Sequence, residues 1–260
     1  MGKSIKVLLV KKFSFLKWSI LALFCTIIGV YLEDMFIVKA STLDANKAYF
    51  LWAGVKPQLI LENAETVYIL SGEVRQNDNT KIISLKAAPP SISYADVWMT
   101  LRVERIDWQD QVFDQTLSDL RRWESAGNRL KGLQIDFDSA TLHLDKYTIF
   151  LTKLRKLLPK HLSLSVTGVM DWLVLGDPDV LENLGKIADE VVIQTYQDRE
   201  TIKGYEIYLR SLRRLKFPYY LGVVQNGKWQ EPRNLRHDPN FQGYVIFLLN
   251  SSSPEFSKSN

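Results

Sequence analysis

From residue 49 onward, apolar runs of strand length recur along the chain with polar or helix-like stretches between them. Eight stand out: 49–53, 66–71, 96–103, 132–138, 162–168, 190–196, 219–224 and 244–249. Between the middle runs, 115–124, 147–158, 178–187 and 202–215 carry apolar residues three and four apart, the spacing of one helix face. Strand and helix in alternation predict a parallel sheet, and eight such strands close into an α/β fold of the (β/α)8 TIM type. Pro178 after Asp177 suits a first helical turn, and Pro159 stops a helix before the fifth strand. Regularity fails at 75–91, which is polar and contains prolines, and at 225–242, which reads as loop. The expectation is a barrel over 48–250 that is irregular in its first third.

Alternation within strands assigns their faces. In the fourth run Leu133, Ile135 and Phe137 fall on one side and Gln134, Asp136 and Asp138 on the other. With the apolar side toward the helices, the polar side points into the barrel. Thr100, Arg102 and Glu104, then Ser163, Ser165 and Thr167, then Gln194 and Tyr196, divide the same way. A polar interior departs from the branched aliphatic filling of a structural barrel, so a ligand is expected at the mouth.

The N-terminus changes the picture of where this barrel sits. Lys3, Lys6, Lys11, Lys12 and Lys17 precede an uncharged apolar stretch from Trp18 to Leu32, which Glu33 and Asp34 follow. Counted from 13 to 32, with Lys17 reaching the interface, it has the ~20 residues a helix needs to cross hydrocarbon. The basic flank stays cytoplasmic. The division expected is a cytoplasmic basic segment 1–12, a transmembrane signal-anchor 13–32, a linker 33–47, the barrel 48–250 and a disordered tail 251–260. A cleaved signal peptide is the alternative, but it needs small residues before the cut and the segment ends Ile-Gly-Val-Tyr-Leu-Glu-Asp. The implied location is a bacterial inner membrane, crossed once, with the barrel on the periplasmic or extracellular side. Cys25, the only cysteine, lies within the apolar run, so the exported part can form no internal disulfide.

Composition is that of an ordinary globular chain, 46% hydrophobic and 24% charged. The net charge of +4 is largely the N-terminal lysines, which argues against nucleic acid as a partner. Arg210, Arg213 and Arg214 at helical spacing read as a solvated helix face. His143, His161 and His237 lack metal-ligand spacing; neither a metal nor a cofactor is expected. Oligomeric state is not legible.

Asp136 and Asp138 sit at the C-terminal end of a strand, where barrels of this kind carry their chemistry. Carboxylates at i and i+2, about 6 to 7 Å apart, raise one pKa of the pair, so one can serve as acid while the other stays anionic. Glycosidic cleavage requires that division. The run Gly132-Leu133-Gln134-Ile135-Asp136-Phe137-Asp138 resembles the fourth-strand motif of family 18 glycoside hydrolases, Asp-Gly-x-Asp-x-Asp-x-Glu. Gln194-Thr195-Tyr196-Gln197 falls where that family has Met-x-Tyr-Asp. The resemblance implies Asp138 as general acid, Asp136 as its partner and Tyr196 as a contact to the reacting sugar. Lys131, Gln134 and Gln197 replace family aspartates and Asp138 is one methylene shorter than Glu, departures that weigh against substrate-assisted chitinase chemistry.

A broader resemblance, on Phe50-Leu51-Trp52, 133–139, 151–159, Leu164 to Thr167 and Trp172, is to the bacterial domain of unknown function 3142. It implies a glycosidase-like barrel with no assigned substrate. Trp52 is expected to stack on a sugar or to pack in the core, with even weight. Glu73, Arg102 and Glu104 would form a charged ring at the mouth or a structural ion pair. Gln134 and Gln194 join Trp52, Glu73 and Arg102 as candidate substrate contacts, and Trp98 and Trp172 are expected to be buried. Three functions follow: a membrane-anchored glycoside hydrolase or transglycosidase acting on a polysaccharide, a carbohydrate-binding barrel that has lost its acid, or, fitting the strand order poorly, a glycosyltransferase using Asp136-Phe137-Asp138 to hold a metal.

Overall fold

The computed structural model describes residues 38–39, 47–137 and 143–250. The expected anchor 13–32, most of the linker 33–47, the tail 251–260 and Asp138 lie outside them. Among the described residues no helix is long and apolar enough to cross a membrane.

Eight parallel strands close into a barrel: β1 (Ala48–Leu51), β2 (Thr66–Val74), β3 (Asp96–Val103), β4 (Arg129–Asp136), β5 (Ser163–Val169), β6 (Glu190–Gln194), β7 (Tyr219–Val224) and β8 (Phe241–Phe247). Each neighbours the next, and β8 returns to β1 with Val245 opposite Ala48 and Phe247 opposite Phe50. Closure leaves no barrel edge to be shielded. The short strand Ile83–Ser84 adds antiparallel to the end of β2.

The helical layer is complete only in the middle. Helices α1 (Asp110–Ser125) and α2 (Leu144–Leu157) follow β3 and β4; α3 (Asp171–Leu175) and α4 (Pro178–Ile187) follow β5; α5 (Tyr205–Leu209) follows β6. The α1 face bearing Val112, Phe113, Leu120 and Trp123 and the α2 face bearing Tyr147, Phe150, Leu151 and Leu154 are buried. Asp177 caps α4, its carboxylate accepting from the N–H groups of Asp179 at 2.9 Å and Val180 at 3.2 Å, with Pro178 in the first turn. The crossover from β1 to β2 holds only the 3-10 turn Leu59–Asn63, and that from β2 to β3 has no helix, as the irregular first third predicted.

Two elements differ from the sequence expectation. The helix expected over 202–215 shrinks to the five residues of α5, followed by a 3-10 turn at Leu212–Arg214. Gly204, left-handed at φ 76°, delays its start, and α5 ends at Leu209. The Arg214 guanidinium donates to the carbonyls of Leu173, Val174 and Gly176 at 2.5 to 3.0 Å, so it caps the C-terminus of α3 instead of facing solvent. The sixth strand also stops early. Thr195 turns both its N–H and its hydroxyl onto the Gly222 carbonyl, at 3.0 and 2.8 Å, and Tyr196–Gln197 then pairs antiparallel with Glu200–Thr201 as a small hairpin. Asp198, at φ 52°, forms its turn.

The barrel interior is divided. One side is apolar: Phe50, Tyr68 and Trp98, in register on β1, β2 and β3, stack with ring planes 5° apart and centroids 6.1 and 5.9 Å apart. The next residue in that register is Gly132, where a Cβ would collide with the Ser163 carbonyl and approach the Trp98 ring to 2.7 Å. The other side is polar. Gln134 accepts from Thr100 at 3.3 Å and donates to Ser165 at 3.0 Å; Ser165 and Tyr68 both donate to Oε1 of Glu190, at 2.8 and 2.7 Å. Lys131 Nζ lies 3.9 Å from the other Glu190 oxygen. Desolvation raises the Glu190 pKa, opposed by those donors and by Lys131, and burial beside Glu190 raises Tyr68 far above its ordinary value, keeping it a donor. The polar residues read as inward on β3 to β5 do face the interior, and aromatic rings, which that reading did not include, fill the half that β1 to β3 enclose.

Candidate functional site

Above this layer the C-terminal strand ends open into a cavity of about 1060 Å³. Its floor includes Asp136, the last residue of β4, which is 6% exposed. Alternation along β4 turns Leu133 and Ile135 into the helix-side core and leaves Gln134 and Asp136 facing inward. Asp136 Oδ1 accepts from Thr167 Oγ1 at 2.8 Å and from Gln194 Nε2 at 3.3 Å, so β5 and β6 fix the carboxylate's orientation.

One wall is aromatic. Trp52, just beyond β1, lies 5.7 Å from Phe247 at the end of β8, and Phe247 stacks on Tyr196 at 4.9 Å with planes 29° apart. The three rings form a row across the mouth. Trp52 packs on Phe50 at 5.8 Å, as the core expectation has it, and also lines the cavity. The guanidinium carbon of Arg102 lies over the Trp52 ring, 5.3 Å from its centroid. The hairpin residues Gln197, Asp198 and Arg199 close part of the rim.

The expected site residues therefore separate into groups. Asp136, Tyr196, Trp52, Arg102 and Gln194 line one cavity. Gln134 lies a level below, fully buried within the Thr100–Gln134–Ser165 chain. Glu73 is in register with Arg102, but its carboxylate is bound to Arg75 at 3.2 Å and is not among the lining groups. Glu104 reaches the rim and accepts from the Gln76 N–H at 2.8 Å. Trp98 and Trp172 are both fully buried.

Phe247 and Asp171, which also line the cavity, were not singled out from the sequence. Phe247 was legible through strand alternation with Val245; Asp171 carried no local signal. Among the described residues no group of three or more His, Cys, Asp or Glu is arranged to hold a metal ion.

Comparison with solved structures finds similar chains at low identity. The spore cortex-lytic enzyme SleL of Bacillus cereus matches at 16% identity and a TM-score of 0.46, covering 69% of this chain and 51% of that one. The chitinase domain of the spore coat protein CotE from Clostridium difficile matches at 13% identity and 0.48, covering 72% and 68%. The xylanase-alpha-amylase inhibitor protein XAIP-I, solved with trehalose, matches at 12% and 0.49, covering 78% and 93%. The chain thus spans about half the length of SleL. No curated protein matches by sequence. The resemblance to domain of unknown function 3142 holds over part of the barrel, short of Phe50 to Trp52: residues 96–206, from the start of β3 into α5, match the family described as domain of unknown function (DUF3142).

Proposed function

We propose that the protein is a glycoside hydrolase or transglycosidase acting on an extracytoplasmic polysaccharide, held at a membrane by residues 13–32. The observation that carries this reading is the oriented carboxylate of Asp136 on the floor of a cavity walled by Trp52, Phe247 and Tyr196. Flat aromatic faces pack against the apolar faces of sugar rings, and an anion beneath stabilises the oxocarbenium character of glycosidic cleavage. In this reading Asp138 donates the proton to the departing oxygen, Asp136 is its anionic partner and Tyr196 contacts the reacting sugar, with Gln194 holding Asp136 in place. The test is incubation of the full chain with bacterial envelope polysaccharides and exopolysaccharides, with released oligosaccharides read by mass spectrometry beside Asp138→Asn and Asp136→Asn. Products from the wild type alone support the assignment. A folded wild type inert on the whole panel refutes it.

A second reading, a carbohydrate-binding barrel without catalysis, draws support from the burial of Asp136, whose Oδ1 is already occupied by two donors. It predicts glycan affinity unchanged in Asp138→Asn and lost in Trp52→Ala. The anchor is tested separately. The full chain should stay with membranes through carbonate extraction, and release into the soluble fraction would remove that part of the proposal.

A further inference from the structure

The clearest unexplained charge in the cavity is Arg102. It ends the inward face of β3 directly opposite Asp136 in register, so a lateral ion pair is the arrangement to expect. Instead the half-buried guanidinium lies over Trp52, and among the described residues no carboxylate pairs with it. A partly desolvated cation left without an anion is costly unless a ligand supplies one. A guanidinium is a rigid planar fork of N–H donors whose geometry matches a carboxylate with two parallel hydrogen bonds. Contact with an aromatic ring restricts the side chain and leaves donors available at its edge.

The rest of the lining limits which anion fits. Glu104, Asp136, Asp171 and Asp198 stand against Arg102 and Arg199, four carboxylates to two guanidiniums among the described residues. Arg199 already donates to the Asn250 carbonyl at 3.1 Å. The excess of carboxylates opposes a dianionic phosphate about twice as strongly as a monoanion, and the single charge of a planar carboxylate is the one the Arg102 fork can match. We infer that the site takes an acidic glycan, one whose sugar units carry a carboxylate, and that Arg102 is the residue selecting it. This rests on the glycan reading above.

The experiment titrates the full chain, in mild detergent, with oligosaccharides of hyaluronan and of polygalacturonate, each beside its carboxyl-reduced neutral counterpart. Affinity is measured by calorimetry for wild type, Arg102→Gln and Arg102→Lys, with near-UV circular dichroism reporting the fold. At least one acidic form should bind wild type about tenfold to a hundredfold more tightly than its reduced form, the range expected for charge-assisted hydrogen bonds. That preference should vanish in Arg102→Gln and survive in part in Arg102→Lys. Equal binding of acidic and reduced forms by the wild type, or a preference that persists in Arg102→Gln, overturns the assignment and leaves the glycan reading standing. Binding of no oligosaccharide in either charge state also overturns the assignment, and the polysaccharide panel above then decides the glycan reading.

Discussion

Removing the phenolic hydroxyl of Tyr68 tests whether Glu190 is held in the barrel as an ion. The two donors to Glu190 Oε1 are Tyr68 at 2.7 Å and Ser165 at 2.8 Å, and Lys131 stands 3.9 Å from the other oxygen. A hydrogen bond to a buried charged group contributes about 1.5–3 kcal/mol, so Tyr68→Phe should cost about 2 kcal/mol near neutral pH. At roughly 2–4 °C per kcal/mol for a domain of this size, Tm should fall by about 4–8 °C. The pH dependence carries the sharper information. Burial raises the folded pKa of Glu190 above its ordinary 4.5, so between those two values the folded state binds more protons than the unfolded state. Stability from this group therefore falls as pH rises through that window and recovers as pH drops toward 4.5. Loss of the Tyr68 donor raises the folded pKa further, so the deficit of the variant should be largest above the window. It should shrink toward a neutral hydrogen bond's value, about 0.5–1.5 kcal/mol, as Glu190 protonates. Denaturant melts of wild type and variant from pH 4 to 8 measure this. A deficit that is flat with pH, or that grows on acidification, refutes an ionised Glu190. In a Glu190→Gln background Tyr68→Phe should cost markedly less, because the two side chains are in direct contact.

Four further outcomes are expected. Gly132→Ala should fail to give a folded barrel or cost more than about 3 kcal/mol, judged by yield and circular dichroism, because the Ser163 carbonyl occupies the Cβ position. Phe247→Ala removes the ring between Trp52 and Tyr196; glycan affinity should drop about tenfold by calorimetry, with a smaller loss for Phe247→Tyr. Arg214→Ala uncaps three carbonyls at the end of α3 and should cost about 1–3 kcal/mol in denaturant unfolding, with Arg214→Lys recovering only part. Thr167→Val removes the closer donor to Asp136; if Asp136 acts in the reaction, kcat should fall about tenfold with KM little changed, whereas a purely structural Asp136 predicts a loss of stability alone.

How much of this was legible depended on the range of the interactions. Strand positions followed from runs of apolar residues, and the inward placement of Asp136 and Gln134 followed from alternation, because both are set within a few neighbours. The division of the interior was not legible. Alternation puts Trp98 on the face of Thr100 and Arg102 and Glu190 on the face of Gln194, but it does not say which inward residues meet, and only closure of the barrel brings Tyr68 and Glu190, 122 residues apart, into contact. The end of α5 was overextended because apolar spacing through 215 satisfies a helix, while the carbonyls that draw Arg214 away belong to α3, about 40 residues earlier. Trp52 and Arg102 were each named as candidates. Their mutual contact depends on strands that are not neighbours in the sheet order, so no local pattern encodes it.

The seam between β8 and β1 carries a kinetic consequence. The Gln58 side chain, just after β1, meets Gln225 and the Leu249 carbonyl across 167 and 191 residues. A chain made from its N-terminus therefore presents β1 with one open flank until the last barrel strand has emerged. Contacts of such separation form late, since loop-closure entropy must be overcome first. Trp52 and Phe247 lie on opposite sides of that seam and touch only once it has closed. The aromatic wall of the cavity is thus among the final parts to assemble, and a chain stalled before its eighth strand would hold Asp136 while lacking the surface against which a sugar could rest.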